Sequence, residues 1–193
     1  MNDDELVRCD WASARPGRDF DLYRDYHDRE WGRPVRGGVA LFERVSLEAF
    51  QSGLSWLVIL RKRENFRRAF SGFDIEKVAG YTDADVQRLM ADEGIVRNRS
   101  KIEATIANAR AAAELGSPDD MSRLLWSFAP PPRPRPADGS QIPSASAESK
   151  AMARELKRRG FRFVGPTTAY ALMQATGMVD DHIRACWVPA TGG

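Results

Sequence analysis

Apolar residues along this chain recur at helical spacing, and no set of alternating apolar and polar positions marks a sheet. Residues 39–52 place Leu41, Phe42, Val45 and Phe50 near a helical period. Asp83 is in position to cap a helix through Val86, Leu89 and Met90, with Gly94 as its stop. Residues 99–115 carry the clearest stripe, Ile102, Ile106, Ala109 and Ala113, among many alanines that favour a helix. A short helix is predicted over 121–128, and two more over 146–159 and 167–177, separated by Gly160 to Pro166. Ala129 to Pro143 breaks the pattern, because its prolines block both helix and sheet ladders. That stretch reads as a mobile connector or as a polyproline ligand for a partner. The expectation is an all-α fold in one domain, residues 1–193.

Composition narrows the classes. The chain has 193 residues. That is enough for one domain to bury roughly two-thirds of its unfolded surface. Lys and Arg number 29 against 27 Asp and Glu, giving a net charge of +2. This excludes a basic tail that binds nucleic acid by bulk charge, but not a local basic face. No apolar run reaches the roughly 18 residues of a membrane span. The opening Met-Asn-Asp-Asp-Glu does not resemble a signal peptide, so a cytoplasmic location is expected.

Three constellations could carry chemistry. The first uses the scarcest residues, two cysteines and two histidines. Cys9 and His27 lie near the start. His182 and Cys186 lie near the end, four apart and hence on one face if helical. They read either as a closed tetrahedral Cys₂His₂ metal site joining the chain ends, or as buried inert thiols and satisfied core histidines. The second is the corner Gly160-Phe161-Arg162-Phe163-Val164-Gly165-Pro166-Thr167-Thr168. Gly160 permits a helix stop, Gly165 a close backbone approach, and Thr167 or Thr168 a cap for the next helix. Free N–H groups there, with Lys157, Arg158, Arg159 and Arg162 nearby, suit a phosphate; an ordinary helix corner with a solvated basic end explains them too.

The third constellation is aromatic. Trp11, Tyr23, Tyr26, Trp31 and Trp56 all fall in the first third, with Glu48 between Leu47 and Ala49-Phe50. Rings with one carboxylate can bind a flat cationic base by stacking and by accepting its exocyclic N–H. Core packing is the ordinary explanation of such rings. It does not account for Glu48, since a carboxylate among apolar neighbours is costly to bury without a partner.

Taken together, several segments resemble the DNA-3-methyladenine glycosylase I family. They are Tyr26-His27-Asp28-Arg29-Glu30-Trp31-Gly32, Leu47-Glu48 with Gln51-Ser52-Gly53-Leu54-Ser55-Trp56, Arg61-Lys62-Arg63-Glu64-Asn65-Phe66, Gly94-Ile95-Val96-Arg97 with Lys101-Ile102, Asn108-Ala109-Arg110, Trp126-Ser127-Phe128, the 160–168 corner and Asp181-His182. The resemblance runs from Cys9 to Cys186. It implies a helix–hairpin–helix glycosylase fold, with two helical lobes and a base pocket between them. It implies structural zinc on Cys9, His27, His182 and Cys186, clipping the termini. It implies that Glu48 contacts a flipped 3-methyladenine within a pocket shaped by Trp11, Tyr26 and Trp56, with Tyr23 and Trp31 nearby. Gly53 and Leu54 match positions that fill the gap left in the duplex, and Gly160, Gly165, Thr167 and Thr168 belong to a hairpin gripping DNA phosphates.

The implied activity is monofunctional hydrolysis of 3-methyladenine from alkylated double-stranded DNA by a monomer, starting base-excision repair, with the free base as product ligand and no membrane partner. No Lys stands where bifunctional relatives form a Schiff base. Asp180 occupies about the place of a catalytic Asp in many helix–hairpin–helix relatives, but it reads first as an N-cap before His182. Two departures stand out: Ala49-Phe50 follows the Glu, and Pro166 removes one N–H from the hairpin. The competing readings are a non-catalytic helix–hairpin–helix DNA-binding module with a structural zinc, and a zinc-stapled scaffold using the Pro-rich loop.

Overall fold

The structure is a computed structural model that describes residues 6–13 and 19–190. The acidic opening residues 1–5 lie outside the described residues. Among these, every regular element is helical: α1 (Phe20–Arg29), α2 (Gly38–Gln51), α3 (Trp56–Ala69), α4 (Ile75–Ala79), α5 (Asp83–Ala91), α6 (Arg99–Ala113), α7 (Pro118–Trp126), α8 (Ala147–Arg158) and α9 (Pro166–Ala175), with short 3₁₀ turns at Asp10–Ala12, Ser71–Phe73 and Gly139–Gln141.

Helix α2 is the central element, packing against α3, α6, α7 and α9. Its sequence is apolar nearly all round, which is the signature of a buried helix, and ten of its residues are buried from Gly38 to Phe50. Its own Phe42 and Phe50, with Phe66, Phe70 and Phe73 packed beneath them, are fully buried. Phe50 and Phe66 meet at a ring separation of 4.6 Å. This aromatic floor gives the lower half of α2 an environment of low polarity.

The helices expected from periodicity are present, and their ends show what was misjudged. Asp83 does not cap α5. Thr82 does, in a capping box in which the Thr82 N–H donates to the Asp85 carboxylate at 3.0 Å, and Asp83 is the first helical residue. Ser117 caps α7 in the same way with Asp120, which moves its start forward to Pro118. At the 160–168 corner, α8 ends in a Schellman turn. Phe161 N–H donates to the Leu156 carbonyl, and Gly160 supplies the required φ of +92°. Gly165 caps α9 and Pro166 opens it, so neither Thr167 nor Thr168 is the cap. Pro166 is therefore not a defect: its fixed φ suits the first helical position, whose N–H has no helical partner in any case.

The Pro-rich loop is no loose connector. Arg133 donates to the Tyr170 hydroxyl and to Asp181, both at 2.7 Å. Arg135 donates to Asp180 at 2.9 Å and to the Val188 carbonyl at 2.7 Å. Ile142, near the end of the loop, packs on the core.

Candidate active site and metal centre

A cavity of about 430 Å³ opens beside Glu48. That volume lies within the range of small-molecule sites. Trp11 enters it from the first 3₁₀ turn, Tyr23 and Tyr26 from one face of α1, Trp31 from the turn after α1, Glu48 and Gln51 from α2, and Trp56 from the first turn of α3. All six residues of the aromatic–carboxylate constellation thus line one cavity. Trp11 meets Tyr23 edge-on at 5.4 Å and Trp31 at 5.1 Å. Tyr26 lies against Trp56 at 5.3 Å, tilted by 45°. The Trp56 Nε1–H is buried with no acceptor.

Glu48 is 5% exposed. Burial pushes its carboxyl up to about 8, and the Arg44 charge one turn earlier opposes the rise only in part. Arg44 is committed elsewhere, since its Nη2 donates to Glu30 at 2.8 Å. Arg63 donates to the same carboxylate at 2.6 and 2.8 Å. Glu48 therefore stands as a desolvated acid facing a ring-lined space. That arrangement suits a ligand carrying N–H donors or positive charge.

Sequence reasoning missed several lining residues. Gln51 falls three positions after Glu48 on the same helix face, a spacing that could have signalled it. Ala171 and Gln174 of α9, with Gly139, Ile142 and Ile183, enter from segments distant in sequence. Gln174 donates to Asp181 at 2.9 Å, and Asp181 also accepts from the Tyr170 hydroxyl at 2.7 Å.

A second depression of about 200 Å³ adjoins the first, sharing Glu48, Gln51 and Ala171. Gly53, Leu54, Thr167 and Thr168 line it, so α2's exit loop and the start of α9 face each other across it. Gly53 holds a φ of +79°, and Leu54 is 40% exposed. Gly165 has open space where a side chain would stand. Gly160 lies at the far side of its turn and lines neither cavity.

Cys9, His27, His182 and Cys186 come together as a buried cluster, with ligand atoms all within 4.8 Å of one another. The C-terminal pair does not use a helix: His182 and Cys186 sit on an irregular turn closed by Cys186 N–H to the Ile183 carbonyl, which corrects the helical expectation, whereas His27 lies within α1. The His182 Nδ1 lies 3.6 Å from the Cys9 sulfur and 3.5 Å from that of Cys186, and the His27 Nε2 lies 3.6 Å from the latter. A tetrahedral site with metal–sulfur arms of about 2.3 Å and metal–nitrogen arms of about 2.0–2.1 Å has edges of roughly 3.3–3.8 Å. The outward nitrogens are also held: His27 Nδ1 is 2.7 Å from Asp28, and His182 Nε2 is 3.2 Å from the Trp31 carbonyl. Arg8 in turn donates to Asp28 at 2.9 Å. Such an outer shell orients histidine ligands. The hydrogen bond between the sulfurs, with burial, raises the Cys9 thiol, while the same bond and those to His182 and His27 lower the Cys186 thiol against its own burial. These four residues can hold one metal ion.

Asp180 is not an N-cap of a helix. Its carboxylate accepts from His182 N–H at 3.2 Å within the irregular turn and pairs with Arg135. It lines a groove of Pro34, Trp126 and the Pro-rich loop, away from Glu48.

Comparison with known proteins places nearly the whole chain beside one family. The methyladenine glycosylase family profile matches residues 17–189. DNA-3-methyladenine glycosylase 1 of Escherichia coli K12 is 45% identical over 186 residues, covering 94% of this chain and 96% of that protein. A crystal structure of 3-methyladenine DNA glycosylase I superposes with a TM-score of 0.86 at 44% identity, covering 94% of this chain and 98% of the other. A crystal structure of a single-residue variant of 3-methyladenine DNA glycosylase I in complex with 3-methyladenine matches with a TM-score of 0.86 at 33% identity, over 96% of this chain and 99% of the other.

Proposed function

Since this chain belongs to the methyladenine glycosylase family and is an N-glycosyl hydrolase, we propose that it extrudes 3-methyladenine from alkylated duplex DNA and hydrolyses its glycosidic bond, leaving an abasic site. The observation that carries this reading is Glu48: an unpaired, desolvated carboxylate aimed into an aromatic cavity the size of a small ligand.

Extruding a base costs a few kcal/mol, least for a damaged base that pairs badly. Leu54, exposed on the loop made by Gly53, enters the stack in its place. The N–H groups of Thr167 and Thr168, with Gly160 and Gly165 shaping the turns around them, take the phosphates. Tyr26 and Trp56 stack on the flipped ring, with Trp11, Tyr23 and Trp31 closing the wall. Glu48 accepts from the N6/N7 edge. Methylation at N3 leaves the base cationic, so it departs neutral and needs no proton. The C1′–N9 bond breaks with its electron pair passing to the base, positive charge builds on the deoxyribose, and one water adds to C1′ and gives up a proton to solvent. The Glu48 carboxylate stabilises the positive charge through this transition state. Both histidines belong to the metal cluster, so neither serves as a general base.

Zinc on Cys9, His27, His182 and Cys186 has a structural role in this reading, because protein ligands take all four positions. The chain acts as a monomer in a single domain, with its two helical lobes on either side of the pocket and α8–turn–α9 as the helix–hairpin–helix element. A non-catalytic DNA-binding module leaves the pocket and Glu48 unexplained.

The test is release of 3-methyladenine from methylated duplex DNA by wild type beside Glu48→Gln. Release by wild type with a loss of at least about 10²-fold in Glu48→Gln is expected, on the scale of removing one preorganised electrostatic contact. No release by wild type overturns the reading; equal release by both removes Glu48 from it.

A further inference from the structure

Helix α6 carries two buried polar side chains seven residues apart, and each binds the backbone of a different candidate DNA-contacting loop. Lys101 is 7% exposed. Its Nζ donates to the carbonyl of Phe50 at 2.8 Å and to that of Ser52. Those carbonyls end α2, directly before Gly53 and Leu54. Asn108 is fully buried. Its Nδ2 donates to the Arg162 carbonyl at 3.1 Å, while its Oδ1 accepts from the Arg162 N–H at 2.7 Å. Arg162 lies in the α8–α9 turn, four residues after the end of α8. Thr105 stands between the two on the same face, donating to the Lys101 carbonyl at 3.0 Å.

Seven residues are about two helical turns, so the two side chains project in nearly one direction about 10.5 Å apart along a rigid rod. Neither lines the base cavity. A buried ammonium bonded to carbonyls alone is an expensive way to end a helix, since a glycine or an exposed lysine can do the same without desolvation. A rigid coupling between α6 and the loop accounts for it. Asn108 likewise makes a two-point clamp that fixes one peptide in position and orientation, not merely in contact.

We propose, on the glycosylase reading of these loops, that Lys101 and Asn108 are positioning residues, and that α6 is a fixed spacer setting the Gly53–Leu54 wedge and the 160–165 turn in register on the duplex. The phosphate grip and the wedge must engage the same DNA at a set separation, and no direct bond between the two loops provides that separation among the described residues.

The two ends of the spacer report differently. Lys101→Met lowers the single-turnover excision rate on methylated duplex DNA about tenfold or more and leaves DNA affinity within about twofold, whereas Asn108→Leu weakens DNA affinity by a similar factor with the rate at saturating enzyme nearly kept. Both retain the wild-type affinity for free 3-methyladenine, read by tryptophan quenching, which a merely loosened fold would not. Lys101→Arg restores most of the rate, and Asn108→Asp, which keeps the acceptor, falls between Asn108→Leu and wild type; these serve if the first variants fold poorly. Wild-type behaviour in both Lys101→Met and Asn108→Leu, or parallel loss of free-base binding in every variant that folds, overturns the spacer. Absence of excision by wild type overturns the glycosylase reading instead.

Discussion

Arg44 stands one helical turn before Glu48, yet its guanidinium is bonded to Glu30 at 2.8 Å and not to the Glu48 carboxylate. The nearest buried positive charge is thereby held by a second acid, itself shared with Arg63 at 2.6 Å. Glu48 feels Arg44 only through space, so burial prevails and its carboxyl titrates at about 8. The site is thus prepared to gain most when a positive charge enters it.

A pH profile should show this. In the free protein Glu48 ionises near 8, and only the ionised form attracts a cationic base. kcat/KM for methylated DNA, which reports the free enzyme, is expected to rise with pH and level off near 8. A bound cation favours the carboxylate, so the corresponding rise in kcat lies at lower pH. Glu48→Gln should abolish both rises. Superimposable profiles for kcat and kcat/KM would contradict the charge pairing.

The same carboxylate should weaken the fold. Its folded value is raised, so the folded state holds a proton that the unfolded state has released above about 4.5. Stability therefore falls as pH increases from about 4.5 to about 8 and is flat beyond. Glu48→Gln escapes this, and at pH 7 it should be more stable by up to about 3 kcal/mol, the advantage vanishing below pH 4.5. Urea titrations at pH 4.5 and pH 7.5 measure it; equal differences at the two pH values would refute it.

The buried cluster predicts a metal dependence of stability. Purified protein should hold about one zinc per chain. Its removal should lower the melting midpoint by on the order of 10 °C, as expected when several kcal/mol of binding energy is lost from a domain of this size. Cys9→Ser should mimic removal. A chelated, metal-free protein that melts with the native one would exclude a stabilising metal.

Asp180 and Asp181 should part company despite their adjacency. Asp180 pairs with Arg135 in a groove away from the base cavity, so Asp180→Asn is expected to excise within about twofold of wild type. Asp181 is 1% exposed and gathers Arg133, Tyr170 and Gln174. Asp181→Ala strands those donors and should cost about 3–5 kcal/mol in stability. It also frees Gln174 in the cavity wall, so free-base affinity should fall. Assays of excision and denaturation on both variants decide the matter.

Much of this was readable in the chain, for physical reasons that differ by residue. The α6 stripe of Ile102, Ile106 and Ala109 is a one-sided pattern, and such patterns reveal helices directly. Helix α3 escaped because its first five residues are all apolar, a run that masks the helical spacing of its buried positions Trp56, Ile59, Leu60, Phe66 and Ala69. Helix α4 is five residues long, too short to display one. The aromatic residues and Glu48 were visible because a carboxylate between apolar neighbours demands an explanation. Gln174 was invisible because its place depends on α9 lying across α2. The Arg133–Asp181 pair spans 48 residues and leaves no local trace, so a proline run that looks loose is in fact anchored.

The Cys₂His₂ cluster also bears on the order of events as the chain is made. Cys9 and His27 are synthesised well before His182 and Cys186; Trp11 rests 5.2 Å from His27, but Trp31 lies 4.7 Å from His182. The Trp31 wall of the base cavity is therefore set against a residue that leaves the ribosome 151 residues later. Contacts this distant in sequence form late in folding. A chain truncated before His182 lacks the support of that wall, so a finished cavity waits on the His182–Cys186 segment.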